Sequence, residues 1–243
     1  MRNMTLDQIC IILCRPDEER NIGSACRAMK NMGITHLRII GDKNSYDENK
    51  VKTLALHAFD IWENAQFFSS VSEAVSDCVI AAGTTRRRGK KRKEWLVYPQ
   101  EFAKQVKPIK KGSIAILFGN ERTGLTDEEL QDCTVGITIA TSKDFPSLNL
   151  SHAVQIICYE LAQSTNVQFT GYTPVSLERI HKTSKCIVDN LENIGFFKIA
   201  GKMEMQRFWK DILARAAISE GEAKYLEKIF NKTMGFFQKK DEK

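Results

Sequence analysis

The chain has seven cysteines (Cys10, Cys14, Cys26, Cys78, Cys133, Cys158 and Cys186) but no Cys-x-x-Cys pair, and its four histidines are not spaced with them as zinc ligands are. Most of the cysteines sit in apolar runs, where a reduced thiol behaves as a small hydrophobe. The expectation is a reducing compartment and no metal. No apolar stretch near the N-terminus resembles a signal peptide, and no run is long enough to span a bilayer, so a cytoplasmic chain with no membrane partner is expected. No Gly-x-Gly-x-x-Gly follows a strand-like run, which leaves a Rossmann-type dinucleotide site unsupported. Gly119 to Gly124 supplies the Gly-x-x-x-x-Gly of a P-loop, but Leu125 stands where the phosphate-reaching lysine belongs. Nucleotide hydrolysis is therefore rejected. There are no internal repeats.

The 243 residues are 42% hydrophobic, enough for one sizeable domain and a smaller appendage. A formal net charge of +6 hints only weakly at an acidic partner. The clustering of charge says more: from Arg86 to Lys93, seven of eight residues are Lys or Arg, with Gly89 the exception. Such a run repels itself and resists burial. It is either a solvated, localisation-like loop or a phosphate-contacting patch whose binding would depend steeply on salt. Trp95 and Tyr98 flank it, able to stack on bases or simply to pack.

Patterning predicts strands at Gln8–Cys14, Thr35–Ile40, Gln66–Ser69, Cys78–Ala82, Ser113–Phe118 and Val135–Ile139. It predicts helices from Asn21 to about Met32, at Asn49–Ala58, Val71–Ser76 and Pro99–Val106, after Thr126, and from Leu150 to about Leu161. Asn21 is expected to N-cap the first helix and Gly33 to stop it. Gly83–Tyr98 reads as loop. Gly23, in a first helical turn, has no propensity reason and suggests close approach of something to the backbone. Alternating strands and helices imply a mostly parallel α/β sheet.

After Leu161 the character changes. The expected organisation is a main domain over 1–165, a linker over 166–174 and a helical extension over 175–243. In the extension, Leu177, Ile180, Ile187, Leu191 and Ile194 form one apolar stripe. Met205, Phe208, Trp209, Ile212 and Leu213 form a second. Ser219 with Glu222 makes a capping box that opens a third helix with Leu226, Ile229 and Phe230. Such stripes read as core.

The most informative stretch is Ser113 to Leu161. Two strand-like runs end in polar loops, Gly119-Asn120-Glu121-Arg122-Thr123-Gly124 and Pro146-Ser147-Leu148-Asn149-Leu150. Strand ends are the usual place for ligands in an open α/β sheet. Taken alone, Glu121 reads equally as a surface charge, Ser147 and Asn149 as caps of the helix that follows, and Arg27 as a solvated cation. His152 has no nucleophile to pair with and is incidental.

FGNERTGL (Phe118–Leu125) followed by PSLNLSHAV (Pro146–Val154) resembles motifs 2 and 3 of the SPOUT superfamily of S-adenosylmethionine-dependent RNA methyltransferases, and NIGSACRAMKNMGI (Asn21–Ile34) resembles motif 1. The three occur in the family's order. The whole chain, tail included, resembles the TrmH/TrmJ-like branch, and within it the TrmJ group that 2'-O-methylates tRNA. The missing Gly-x-Gly-x-x-Gly also counts against the common non-SPOUT methyltransferase fold.

The resemblance implies an α/β SPOUT fold whose C-terminal part is threaded into a trefoil knot, a feature that periodicity cannot show because knots are nearly absent from proteins. It implies S-adenosylmethionine as cofactor, contacted by Thr84, Thr85 and Arg86, by Gly119, Asn120 and Gly124, and by Ile139, Pro146, Ser147 and Leu148. It implies Arg27, Asn21, Glu121, Ser147 and Asn149 as the catalytic group, no metal, and a homodimer with the site completed near the interface. The substrate implied is tRNA, at nucleotide 32 of the anticodon loop, with Arg87, Arg88, Lys90, Lys91, Arg92 and Lys93 as RNA contacts. The basic loop is denser in charge than is usual in the family. An rRNA 2'-O-methyltransferase of the same superfamily and a non-catalytic RNA-binding protein of the same fold are the alternatives.

Overall fold

A computed structural model describes residues 4–86, 96–165, 173–197 and 201–241. The chain divides into two compact units, Met1–Tyr172 and Thr173–Lys243. Most of the expected linker over 166–174 lies outside the described residues.

The first unit is built on seven strands: β1 (Ile9–Cys14), β2 (His36–Ile40), β3 (Gln66–Phe68), β4 (Cys78–Thr84), β5 (Leu96–Val97), β6 (Ser113–Phe118) and β7 (Val135–Ile137). They lie in the order β3-β2-β1-β6-β4-β7-β5, and every pairing is parallel. All six residues of β1 and five of six in β6 are buried. Continuous apolar runs of this kind belong to central strands covered on both faces. The expected strands are present with ends moved by one or two residues. The exception is β5, expected as loop: two residues pairing with β7 are too few for an alternation to be seen.

The helices of this unit are α1 (Glu19–Asn31), α2 (Glu48–Ala55), α3 (Phe59–Glu63), α4 (Val71–Ala74), α5 (Pro99–Val106), α6 (Asp127–Gln131) and α7 (Leu150–Ser164). Two expectations need correction. Asn21 does not cap α1; the helix starts two residues earlier, at Glu19, and the cap is Glu18, whose side chain accepts from the Arg20 N–H, which leaves the Asn21 side chain for other partners. The helix expected over 49–58 stops at Ala55, where Leu56 takes a φ of 50° and the chain turns into α3. Gly33, with a φ of 74°, ends α1 as expected. Gly23 is explained by helix packing: a Cβ there would sit 2.2 Å from the Val51 carbonyl oxygen of α2. What approaches its backbone is another helix.

In the second unit, α8 (Leu177–Asn193), α9 (Lys202–Arg215) and α10 (Glu220–Asp241) pack together. Leu177, Ile180, Ile187 and Leu213 are buried as the stripes require. Phe208 and Ile229 are not core: they are 53% and 44% exposed. Trp209 packs edge-on against both Phe208 and Phe230. The Ser219–Glu222 capping box is formed. Arg179 joins Glu220 and Glu227 by ion pairs.

Candidate active site

Parallel strands place all their C-terminal ends on one edge of the sheet. The adjacent strands β6, β4 and β7 therefore deliver their following loops to one place, and the turn after β1, the other neighbour of β6, bonds to the loop after β6 through Asn120 and Glu121. The result is a single cleft. All ten residues expected to contact the cofactor line it: Thr84, Thr85 and Arg86 at the end of β4, Gly119, Asn120 and Gly124 after β6, and Ile139, Pro146, Ser147 and Leu148 after β7. Its apolar wall comes from Phe118, Leu125, Ile137, Leu150 and Ala153. An apolar wall with a few convergent polar groups is the make-up of a small-molecule site.

The loop after β6 is held in shape from within. The Asn120 Oδ1 accepts the N–H groups of Arg122 (3.0 Å) and Thr123 (3.2 Å), and the Gly124 N–H donates to the Asn120 carbonyl at 2.8 Å. Gly119 must be glycine, since a Cβ would lie 2.1 Å from both the Gly124 carbonyl carbon and the Leu125 nitrogen. Gly124 has a φ of 69°, in the left-handed region that favours glycine. The capping box of Thr126 and Glu129 then opens α6.

Three of the expected catalytic residues meet through hydrogen bonds. The Asn21 Nδ2 donates to Glu121 Oε1 at 2.9 Å. The Asn149 Nδ2 donates to Asn21 Oδ1 at 2.8 Å. The second carboxylate oxygen of Glu121 accepts the Asp17 N–H at 2.9 Å. Asn149 also caps α7 through its Oδ1 on the Ser151 N–H, so capping does not prevent its amide nitrogen from reaching Asn21. Ser147 lines the cleft and does not cap α7. Arg27 is exposed on α1 and is outside the cleft lining. It makes no ion pair among the described residues. The RNA contacts expected at Arg87, Arg88, Lys90, Lys91, Arg92 and Lys93 lie outside the described residues, as does Trp95; Tyr98 is 44% exposed.

The turn Arg15–Asp17 also belongs to the site's surroundings, although nothing in the sequence patterning singled it out. Asp17 pairs with Arg122 at 2.9 Å, and Arg15 with Glu129 at 2.9 Å. The signal that was there was the charge of Arg15 and Asp17 at a central strand's C-terminal end. Tyr46 stands nearby with its phenol pushed up to about 12, by burial first and then by the charges of Glu121 and Asp17.

Residues 8–159 match the SpoU rRNA Methylase family, more than half of the chain. The chain belongs to the SpoU methylase family. Within it, the TrmJ-like relatives are close. The Methanocaldococcus jannaschii tRNA (cytidine-2'-O-)-methyltransferase TrmJ is 40% identical over 155 residues, 63% of this chain and 66% of that protein. The Pseudomonas aeruginosa tRNA (cytidine/uridine/adenosine-2'-O-)-methyltransferase TrmJ is 32% identical over 247 residues, 94% of each chain. The crystal structure of TrmJ from Z. mobilis ZM4 superposes with a TM-score of 0.74 at 28% identity, covering 92% of this chain and 98% of that one. The chain is thus an enzyme of the SpoU methylases with a TrmJ-like fold and a helical extension. Among the described residues no group of three or more His, Cys, Asp or Glu is placed to hold a metal ion. No described helix is long and apolar enough to cross a membrane.

Proposed function

We propose that this SpoU-family enzyme transfers a methyl group from S-adenosylmethionine to the ribose 2'-oxygen of tRNA, at nucleotide 32 of the anticodon loop. The observation that carries the reading is the convergence of all ten expected cofactor residues on one cleft, with Glu121 at its rim bonded to Asn21. The names of the TrmJ relatives support tRNA and the 2'-oxygen. The cleft fits the cofactor in kind: its apolar side chains suit an adenine face, and the polar groups of Gly119–Gly124 and Pro146–Leu148 suit a charged methionine tail. The knot expected of the family is part of the proposal, as is a cytoplasmic location.

When bound, S-adenosylmethionine supplies an activated methyl group on a sulfonium. The protein's task is then to align the ribose oxygen in line with that methyl and to manage the hydroxyl proton. Asn21, Asn149 and Glu121 form a fixed polar row for the ribose, with Ser147 beside it. The Arg27 guanidinium binds the substrate phosphate and stabilises negative charge developing on the 2'-oxygen. Its place on the exposed face of α1 suits a site completed by a second copy of the chain. Arg86 and the basic residues from Arg87 to Lys93 hold the RNA backbone by charge.

The test is incubation of the protein with unmodified tRNA transcripts and S-adenosylmethionine, followed by mapping of 2'-O-methylation along the RNA. One methyl at nucleotide 32, absent with Arg27→Ala, is the expected result. Methylation elsewhere overturns the position. Intact RNA binding with no methylation overturns the enzymatic reading in favour of a binding module.

A further inference from the structure

The turn between β1 and α1 is where the chain is most strained near the cleft. Arg15 has a φ of 51°, in the left-handed region that disfavours any residue with a Cβ. Strain of this kind persists only where the surroundings hold it, and it gathers at functional sites.

That conformation serves two backbone bonds at once. The Arg15 N–H donates to the Ile40 carbonyl of β2 at 3.1 Å. The Arg15 carbonyl accepts the Asn120 Nδ2 at 2.9 Å, and the other end of that amide organises the loop after β6 through the Arg122 and Thr123 N–H groups. Two residues on, the Asp17 N–H donates to Glu121. The same turn leads into α1, which carries Asn21 and Arg27. A change at Arg15 therefore moves the cofactor loop and the catalytic helix relative to each other.

We infer that Arg15 is a positioning residue for the loop after β6, and that it acts through its left-handed backbone and not through its charge. The inference rests on the methyltransferase reading for what the loop binds. The guanidinium makes a two-pronged pair with Glu129, both bonds 2.9 Å, between side chains 43% and 12% exposed, so the charge and the backbone are separated by testing them in different variants. The carbonyl bond to Asn120 is part-buried, against an Asn120 side chain that also holds the loop after β6.

Arg15→Gly and Arg15→Val both remove the ion pair; only valine opposes the left-handed backbone. Glu129→Gln removes the pair's charge and leaves Arg15 in place. The measurements are S-adenosylmethionine affinity by calorimetry and hydrogen exchange at the Arg122 and Thr123 amides, on the full chain. Arg15→Val is expected to weaken the cofactor about tenfold, with Arg15→Gly and Glu129→Gln within about twofold of the parent. Exchange quickens in the same order. If valine will not fold, alanine against asparagine makes the same comparison, since asparagine tolerates this conformation.

Equal behaviour of the glycine and valine variants, or Glu129→Gln as damaging as valine, overturns the inference. Failure of the parent protein to bind S-adenosylmethionine defeats the methyltransferase reading instead. The exchange order then decides the role of Arg15 by itself.

Discussion

Asn21 and Glu121, 100 residues apart in the chain, are joined by a 2.9 Å hydrogen bond from the asparagine Nδ2 to the carboxylate Oε1. The carboxylate has no proton to give when ionised, so the Asn21 amide nitrogen must face it. That leaves the Asn21 Oδ1 for the Asn149 Nδ2. The direction of the whole row is set by one charge. Asn21→Ala strips a donor from Glu121 and an acceptor from Asn149 while leaving the cleft lining intact. A charge-assisted bond of this kind contributes roughly 1.5–3 kcal/mol. We expect the methyl-transfer rate to fall by about tenfold or more with S-adenosylmethionine affinity nearly unchanged. A fall confined to cofactor affinity would place Asn21 in binding and not in substrate alignment.

Gly119→Ala tests the loop from the other side. The added methyl would meet backbone atoms at 2.1 Å, and backbone cannot swing aside as a side-chain tip can. The loop must move off Asn120's grip, and the expected outcome is a loss of cofactor binding of about fivefold to about a hundredfold, since overpacking of this kind costs about 1–3 kcal/mol. Calorimetric titration with S-adenosylmethionine checks it. Wild-type affinity in this variant would show that the loop's observed shape is not required.

Much of this site was legible in the sequence, and for a physical reason. Strand ends are marked by apolar runs giving way to polar turns, so the two loops after Phe118 and after the run Val135–Ile139 announced themselves, and the motif resemblance named the residues expected in them. What was hidden is non-local. The partners of Asn21 lie 100 and 128 residues away, which made helix capping the simpler reading of that residue. Gly23 faces a neighbouring helix and not a ligand, a distinction that no spacing carries. β5 was hidden because two residues have no period. Phe208 fits its stripe yet stays exposed, because a helical stripe shows which residues share a face and not how far the neighbouring helix reaches across it.

The cysteines give a chemical prediction. Burial pushes the thiols of Cys10, Cys26 and Cys158 up to about 12, and burial likewise raises Cys14 and Cys78. A buried, protonated thiol is neither accessible nor nucleophilic. Cys186 alone of the seven is only partly buried, although its thiol too is raised, first by burial. A thiol-exchange reagent at neutral pH should label Cys186 first and slowly, with all seven labelled once the chain is unfolded. Peptide mass spectrometry reads out the site. Early labelling of Cys14 or Cys133 would mean that the end of β1 or the approach to β7 opens in the native state.

The second unit should carry its own response to acid, set by Glu227. Its carboxylate accepts from the Arg179 guanidinium (3.0 Å to Nη2) and from the Thr183 hydroxyl (2.9 Å). These bonds hold it below the ordinary carboxylate range, the Arg179 bond first. Glu220 is lowered from the same side, again chiefly by Arg179. A carboxyl whose folded pKa is depressed binds its proton more readily when unfolded. Its contribution is therefore complete above the unfolded value of about 4.3 and is lost as pH falls through the lower folded value. Protection of the α8 amides against hydrogen exchange should thus decline between about pH 5 and about pH 3. Glu227→Gln keeps the shape but has no proton to gain, so its α8 should be less protected at neutral pH and should decline less on acidification. The two proteins converge at low pH, where Glu227 is itself neutral. Parallel declines would mean that Arg179 draws its support from Glu220 and not from Glu227, and Glu220→Gln would then be the variant that flattens the curve.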